Sequence, residues 1–144
     1  MTEPEPFDLR DFTPYLLNLA AEQSSLTFQS YYKDRYGMLR TEWRVVFHLG
    51  RYGPMTAKEI CSRARLHKTK VSRAVSALEK NRFLVKSALE QDRRLELLKL
   101  TKTGKSAFAD LYDAARRFDA ELVGQFTENE REVLHRCLTR IAGL

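Results

Sequence analysis

The order of helix start and stop signals between residues 41 and 81 constrains the fold more than any other feature of this chain. A helix is predicted over about 42–51, because Thr41 is a good N-cap and Gly53-Pro54 cannot continue a helix. Another begins at Thr56-Ala-Lys-Glu59, a capping box in which hydroxyl and carboxylate each bind a free backbone N–H. A third is predicted over about 68–81, with one shared face formed by Val71, Ala74, Val75, Leu78 and Arg82. These signals predict three short, separately capped helices.

Two β-prone segments follow the third helix. The segments "FLVKSAL" and "LELLKLT" flank the polar stretch "EQDRR", which predicts a β-hairpin. In the second segment Leu98 and Leu100 alternate with Lys99, as in a strand with one buried face. Three short helices followed by a hairpin describe a winged helix-turn-helix.

Longer helices flank this central unit. The first is predicted to begin at Thr13-Pro14 and to stop at Gly37, and a fifth is predicted over about 102–125. A second capping box, Thr127 to Glu130, opens a sixth helix. The apolar stripes of the last two helices are Phe108, Leu111, Tyr112, Ala115, Phe118 and Leu122, and then Val133, Leu134, Cys137, Leu138 and Ile141. Pairing these helices with each other and with a second subunit would bury the stripes.

The fold class is therefore mainly α: a winged helix-turn-helix with long N- and C-terminal dimerisation helices and one β-hairpin wing. We divide the chain into an N-terminal dimerisation segment (1–37), a DNA-binding domain (38–101) and C-terminal dimerisation helices (102–144).

The positive charge of the chain is concentrated in its middle. The net charge is +6, but residues 63–105 hold 13 Lys/Arg against 4 Asp/Glu, whereas the rest holds 12 against 15. Such asymmetry indicates a polyanionic partner, either nucleic acid or an anionic membrane surface. No apolar run approaches the ~18–20 residues that span a bilayer.

The third short helix has an unusual outer face. With Val71, Val75 and Leu78 toward the core, that face carries cations and hydrogen-bonding groups and no carboxylate before Glu79. A helix that enters the major groove needs this composition, because cations meet phosphates and Arg, Lys, Ser and Thr reach base edges. The predicted DNA-reading residues are Lys68, Thr69, Lys70, Ser72, Arg73 and Ser76. The alternative is a solvated basic face with no ligand.

The central segment resembles the MarR family of winged-helix transcription regulators. The pattern Asp-x-Arg-x-x-x-Leu-x-Leu-Thr of that family's wing is met by Asp92, Arg94, Leu98, Leu100 and Thr101, and "TKVSRAVSALEKNRFLV" is similar to its recognition helix. The likeness covers about residues 39–108, with the terminal helices similar only in pattern. His67 stands where the family often has an acidic or polar cap, and Arg82 where it often has glycine.

The resemblance implies that the wing arginine matching Arg94 enters the minor groove. The chemistry agrees, since arginine is attracted to the strong negative potential of a narrow groove, and Asp92 can hold the guanidinium. Arg93 lies beside it at the predicted tip. The alternative is that the Asp-Arg-Arg segment is a solvated loop that contacts no DNA. Phosphate contacts are predicted for Lys58, Arg63 and Arg65, each of which can also be solvated.

The resemblance also implies partners and a regulator. It implies a homodimer on double-stranded DNA, with half-sites of a pseudo-palindromic operator about one helical turn apart. It implies a small organic, commonly aromatic or carboxylate, effector between the dimerisation helices and the DNA-binding lobe. The predicted pocket residues are Tyr32, Tyr36, Trp43, Arg44, Phe47 and His48. Arg44 and His48 are one turn apart and can share a carboxylate, but aromatics at this spacing are often core residues.

Other classes of function find little support in the sequence. There is no glycine-rich phosphate loop, nucleophile signature or metal-ligand spacing, so neither an enzyme nor a metal or cofactor site is expected. Cys61 and Cys137 are predicted to be buried and inert, with redox sensing as the alternative. The acidic N-terminus and the few cysteines predict a cytoplasmic protein. The rival function is a non-specific architectural or protein-docking winged helix.

Overall fold

The computed structural model describes residues 3–144, and its elements confirm the predicted fold class. A short 3-10 helix, Leu9–Asp11, precedes the first α-helix. In chain order the elements are α1 (Thr13–Tyr36), α2 (Arg40–Tyr52), β1 (Met55–Thr56), α3 (Ala57–Ala64), α4 (Lys68–Lys80), β2 (Leu84–Ala88), β3 (Glu96–Leu100), α5 (Lys102–Gly124) and α6 (Glu128–Ala142). Within residues 3–144 no helix is both long enough and apolar enough to cross a membrane.

The predicted hairpin is part of a three-stranded antiparallel sheet in the order β1-β3-β2. Leu84 pairs with Leu100 at the base of the hairpin and Ala88 pairs with Glu96 near its tip. The sequence analysis missed β1, in which Met55 pairs with Leu98. A two-residue strand is too short to show the alternating pattern by which strands are recognised.

The face of α4 that was predicted to be buried is buried. Val71, Ala74, Val75 and Leu78 join the core with Val45 and Val46 of α2, Ile60 of α3 and Leu98 of β3. Each large aliphatic side chain buried in this way stabilises the fold by roughly 1.5–3 kcal/mol. Arg82 was wrongly placed on this face: it is exposed and follows the end of α4.

Two of the predicted caps are wrong. The N-cap of α1 is Phe12 rather than Thr13, and the N-cap of α2 is Leu39, so that Thr41 lies inside the helix. The buried Glu42 explains the second shift. Its carboxylate accepts a hydrogen bond from the Leu39 amide, so the helix is capped two residues before Thr41. Thr127 and Glu130 form the predicted reciprocal capping box. At Thr56 only half of the predicted box forms: its hydroxyl accepts a hydrogen bond from the Glu59 amide, but the Glu59 side chain does not bond back to the Thr56 amide.

Thr101 shows why the wing motif ends in threonine. Its hydroxyl accepts a hydrogen bond from the Gly104 amide at 3.0 Å, which caps α5, and donates one to the Arg82 carbonyl at 2.6 Å. A Cβ on Gly104 would lie 2.0 Å from the Phe83 carbonyl oxygen. Glycine at this position therefore lets α5 approach the backbone that follows α4, and Thr101 ties the two together.

Arg82 occupies a backbone conformation that glycine adopts more easily. Its φ is 63°, in the left-handed region that costs an ordinary residue about 1–2 kcal/mol. We expect Arg82→Gly to raise the free energy of unfolding by about 0.5–1 kcal/mol in urea denaturation. The control is Lys80→Gly, inside the right-handed helix, which should lower it by about 1 kcal/mol. Equal losses in both variants would contradict the strain at Arg82.

The terminal helices leave apolar side chains in solvent. In α5 the buried residues include Ala107, Leu111 and Ala114, which lie next to the predicted apolar stripe. Of the residues in that stripe, only Leu111 is fully buried. Along α6 no described residue is buried, and Ile141 is 58% exposed. Cys137, predicted to be buried, is exposed and Cys61 is half-buried. Among the described residues, the apolar stripe on which Cys137 lies is therefore open to solvent.

Candidate nucleic-acid interface

The outer face of α4 is open to solvent along the whole predicted reading surface. The exposed residues are Lys68, Thr69, Lys70, Ser72, Arg73 and Ser76. Their exposure follows from the burial of Val71 and Val75 on the opposite side of the helix. His67 caps the helix despite being an uncommon cap residue, with Nδ1 accepting a hydrogen bond from the Thr69 amide at 3.2 Å. We refer to these six exposed residues as the reading face.

The acid at the far end of α4 is partly neutralised. Glu79 forms an ion pair of 3.7 Å with Lys86 of β2, and Lys86 lies 3.8 Å from Glu96 of β3. The sequence analysis missed Lys86, because Glu96 is brought to it by the hairpin register and Glu79 by the contact of α4 with β2. Both carboxylates thus face a cation, and the reading face keeps its positive charge.

The wing presents one arginine in a defined geometry. Arg94 Nε lies 3.1 Å from Asp92 Oδ1 and Arg94 Nη2 lies 3.3 Å from Asp92 Oδ2, as predicted. The Arg94 side chain nevertheless remains 89% exposed. Hydrogen bonds from the side chain and the backbone of Arg94 lower the pKa of Asp92, so this carboxyl group stays ionised near neutral pH. Arg93, beside it, is also exposed.

A groove of about 650 Å³ separates the wing from α4. Its floor includes Val75, Leu95 and Leu98. The cations on its walls are Lys58, Lys68, Lys86 and Arg94. Lys58 therefore shares one concave, basic surface with the reading face and the wing, which is the setting a phosphate contact requires.

The other two arginines that were predicted to contact phosphates lie in different surroundings. The guanidinium of Arg63 stacks on the ring of Tyr52, with its central carbon 4.7 Å from the ring centre. Arg65 has a left-handed backbone with φ of 53°, and its Nη1 donates a hydrogen bond to the carbonyl of Ala142 at the end of α6. The sequence could not reveal this partner, which is 77 residues away.

A second cavity, of about 320 Å³, lies among α1, α2 and α5. It brings together three of the six predicted pocket residues, Tyr32, Trp43 and Arg44. The lining that was not predicted comprises Ser24, Ser25, Phe28, Arg40, Ala115, Phe118, Asp119 and Leu122. Most of these lie on α1 and α5, whose contact with α2 depends on how the helices pack. We refer to this space as the interhelical cavity.

The structure places Tyr36, Phe47 and His48 away from the interhelical cavity lining. Phe47 packs against Trp43, Phe108 and Tyr112, so its role is structural. His48 Nδ1 donates a hydrogen bond of 2.7 Å to the Arg44 carbonyl. Arg44 therefore lines the interhelical cavity without His48, whose Nδ1 is engaged with the backbone of its own helix.

Tyr36 links the end of α1 to α5. Its hydroxyl donates a hydrogen bond of 2.6 Å to Asp110, whose two carboxylate oxygens also each lie 3.0 Å from Arg35 Nη1. Burial and the bond to Asp110 raise the pKa of Tyr36 to about 12, and hydrogen bonds from Tyr36 and Arg35 lower the pKa of Asp110. The three residues join the two helices by charge-assisted hydrogen bonds.

We expect Tyr36→Phe to lower the free energy of unfolding by about 1 kcal/mol at neutral pH, because Asp110 loses a donor. The pKa of Tyr36 is raised above its ordinary value of 10 in the folded chain. The contribution of the protonated Tyr36 hydroxyl to the free energy of unfolding is therefore complete below pH 10 and is lost as the pH rises through about 12. Urea denaturation between pH 7 and pH 12 should show that the free energy of unfolding falls less at alkaline pH in Tyr36→Phe than in the wild type.

Tyr31→Phe is the matched control for this prediction. The Tyr31 ring stacks on Phe28 at 5.2 Å, but its hydroxyl makes no hydrogen bond with the described residues. We expect little change in stability and the same alkaline loss as in the wild type. An equal effect of both substitutions would show that Asp110 does not depend on Tyr36.

Among residues 3–144 no group of three or more His, Cys, Asp or Glu side chains is arranged to hold a metal ion.

Comparison with known proteins identifies relatives of this fold and of its central segment. Residues 36–95 match the sequence model of the MarR family. The HTH-type transcriptional regulator YwoH of Bacillus subtilis is 30% identical over 99 residues, which are 69% of this chain and 72% of the relative. The residues matched to the family model run from the end of α1 to the wing and include the whole reading face.

Solved structures resemble nearly the whole chain. The Bordetella bronchiseptica regulator BpsR, studied for regulation of its DNA binding by 6-hydroxynicotinic acid, has a TM-score of 0.85 at 19% identity and covers 96% of this chain and 99% of its own. A mutant of Escherichia coli MarR complexed with operator DNA has a TM-score of 0.82 at 16% identity, covering 94% and 99%. At such identities these two likenesses show the fold.

Proposed function

This chain belongs to the MarR family of DNA-binding transcription regulators, and we propose that it represses transcription as a homodimer that binds a pseudo-palindromic operator and is released by a small organic anion. Members of this family regulate transcription rather than catalyse a reaction. The proposal concerns the operator, the dimer, the repressing effect and the effector.

The observation that carries the proposal is the pairing of the reading face with the wing arginine. The exposed face of α4 holds Arg73 at its middle, and Asp92 orients Arg94 at the wing tip without burying it. In helix-turn-helix proteins the N-terminal part of the second helix contacts base edges. We assign base contacts to the reading face, a minor-groove contact to Arg94, and a phosphate contact to Lys58.

The uncovered apolar side chains support a dimer. Leu134, Leu138 and Ile141 form one exposed stripe on α6, and Leu16 and Leu19 are exposed on α1. Exposed stripes of this kind are costly in water and mark protein–protein interfaces. A second copy of the chain is the occupant we propose, because a palindromic operator is read by a two-fold symmetric protein.

The interhelical cavity supports a small effector. Phe28, Tyr32 and Trp43 provide aromatic walls, and Arg40 and Arg44 provide cations. Arg40 lies 3.6 Å from Glu22, whereas Arg44 has no ion-pair partner among the described residues. We therefore assign Arg44 to the carboxylate of an aromatic acid. The effector acts only if it prefers the recognition-helix spacing that does not fit the operator.

Aromatic carboxylates, beginning with 6-hydroxynicotinic acid, are the probes for the effector. We expect an active probe to release the protein from DNA and Arg44→Ala to raise the probe concentration needed by about tenfold, the effect of losing one charge-assisted bond. Arg51→Ala, an exposed arginine on the same helix that is absent from the cavity lining, is the control. Release by the probe at equal concentrations in wild type and Arg44→Ala would contradict the assignment.

Selection from a random-sequence pool tests the proposed function as a whole. We expect the wild-type protein to enrich a two-fold symmetric duplex with half-sites about one helical turn apart. Transcription from a promoter that contains this duplex should fall when the protein is added. A pool with no enriched sequence would favour the rival, a non-specific architectural winged helix; binding that is insensitive to salt would favour a protein partner.

A further inference from the structure

The turn between α3 and α4 is bonded to the far end of the chain. Arg65 begins this turn, and its Nη1 donates a hydrogen bond to the carbonyl oxygen of Ala142, the last residue of α6. Arg65 is the C-cap of α3, and His67, two residues later, is the N-cap of the recognition helix. One side chain therefore connects α6 to the backbone from which the recognition helix starts.

The helix end that receives this bond is one that attracts a cation. The last carbonyls of a helix have no intrahelical partner and carry the negative end of its dipole. In α6 the Thr139 carbonyl accepts a hydrogen bond from the Leu144 amide, and the Arg140 carbonyl accepts one from the Gly143 amide. The Ala142 carbonyl lies beyond this cap, and the guanidinium of Arg65 supplies its donor. The bond thus satisfies a carbonyl group at the negative end of the helix.

The bond matters because α6 has few other attachments to its own chain. None of its described residues is buried, and its apolar stripe is turned to solvent. The DNA-binding lobe is joined to the terminal helices on another side, through α5, which packs on α1 and α2. Neither of these contacts involves α6, and the lobe also meets α5 through β3. The bond at the α3–α4 turn therefore attaches α6 to the lobe at a separate point.

We propose that Arg65 is a positioning residue, which holds the recognition helix in register with α6 instead of contacting DNA phosphate. The inference rests on the proposed function, in which two copies meet through their terminal helices. Because the spacing of the two recognition helices must match the spacing of the half-sites, a link from α6 to the α3–α4 turn sets operator affinity. If an effector or a substitution moves α6, the Arg65–Ala142 bond transmits this movement to the recognition helix.

Arg65→Asn is the variant that tests the link, since asparagine tolerates the left-handed backbone at this position but cannot reach Ala142. Arg63→Asn is the control, an exposed arginine of the same helix that stacks on Tyr52 instead. Two quantities are measured. Deuterium uptake of residues 139–144 is followed in the free protein, and affinity for the duplex selected by the wild type is measured over a salt series.

We expect Arg65→Asn to speed exchange at the end of α6 and to weaken binding by about 3- to 10-fold with an unchanged salt slope. Arg63→Asn should leave α6 exchange as in the wild type. Normal exchange with a salt slope reduced by about two, one for the phosphate contact of each subunit, would make Arg65 a phosphate contact and overturn the proposal. Unchanged affinity would overturn it too, whatever the exchange shows.

Failure of the proposed function gives a different result. If the wild-type protein selects no sequence, there is no operator register to set and the positioning role is lost with the operator. The exchange experiment still reports separately on the Arg65–Ala142 bond, since it needs no DNA. A selected operator combined with wild-type behaviour of Arg65→Asn would instead refute the positioning role alone.

Discussion

Replacing Arg73 by alanine is expected to weaken operator binding by about 100-fold and to relax the sequence preference. Arg73 is exposed near the middle of the reading face, with Val71 and Val75 buried behind it. A bidentate contact of arginine with guanine gives about 1–3 kcal/mol of discrimination, and a dimer loses two such contacts. Titration of the wild type and the variant against the selected duplex and its single-base substitutions measures both effects.

Two further variants separate base reading from general attraction. Lys80→Ala makes the same change of charge at the other end of α4 and should alter affinity by no more than a few fold. Arg94→Ala should weaken binding through the minor groove, while the preference at the positions read by Arg73 is kept. If Arg73→Ala and Arg94→Ala both bind like the wild type, neither α4 nor the wing lies in a groove.

A charge placed in the apolar stripe of α6 should have the largest effect. Leu138 is 42% exposed at the centre of this stripe, between Leu134 and Ile141. In a dimer interface an aspartate at position 138 would be buried without a partner, which association cannot offset. In sedimentation velocity we expect the wild type to have about twice the 16.8 kDa mass of one chain, and Leu138→Asp to have the mass of one chain. Operator affinity should fall by roughly 10²- to 10⁴-fold, the gain that joining two modules provides.

Leu39→Asp is the control for this prediction. Leu39 is 63% exposed and is the N-cap of α2, where aspartate is favoured. This variant should sediment and bind like the wild type. A wild-type protein that sediments as a 16.8 kDa particle, or a Leu138→Asp variant that remains a dimer, would contradict the assignment of α6 to the interface.

Local sequence signals predicted the parts of the molecule that depend on near neighbours. The 3.6-residue period identified the buried face of α4 around Val71 and Leu78, and thereby the opposite reading face. Asp92 and Arg94 are two residues apart, so their bond could be foreseen from their spacing. Thr127 and Glu130 formed their capping box for the same reason.

Features that depend on packing between distant segments were not foreseen. Phe28 and Arg40 line the interhelical cavity because of how α1 and α2 pack, whereas Phe47, a predicted pocket residue, packs against Phe108 instead. Arg65 was predicted to contact a DNA phosphate, and its bond to Ala142 was not foreseen because the two residues are far apart in the sequence. Thr41 is not the N-cap of α2, because the Glu42 carboxylate accepts a hydrogen bond from the Leu39 amide and the helix already begins at Arg40.

Competition between duplexes tests the central claim most directly. A complex of the wild-type protein with its selected duplex is challenged with unlabelled duplex of the same or of unrelated sequence, over a series of salt concentrations. The account predicts that the selected sequence competes at least ~10³-fold better and that affinity falls steeply with salt. Equal competition by both duplexes, or a flat salt response, would contradict the claim that α4 and the wing read DNA.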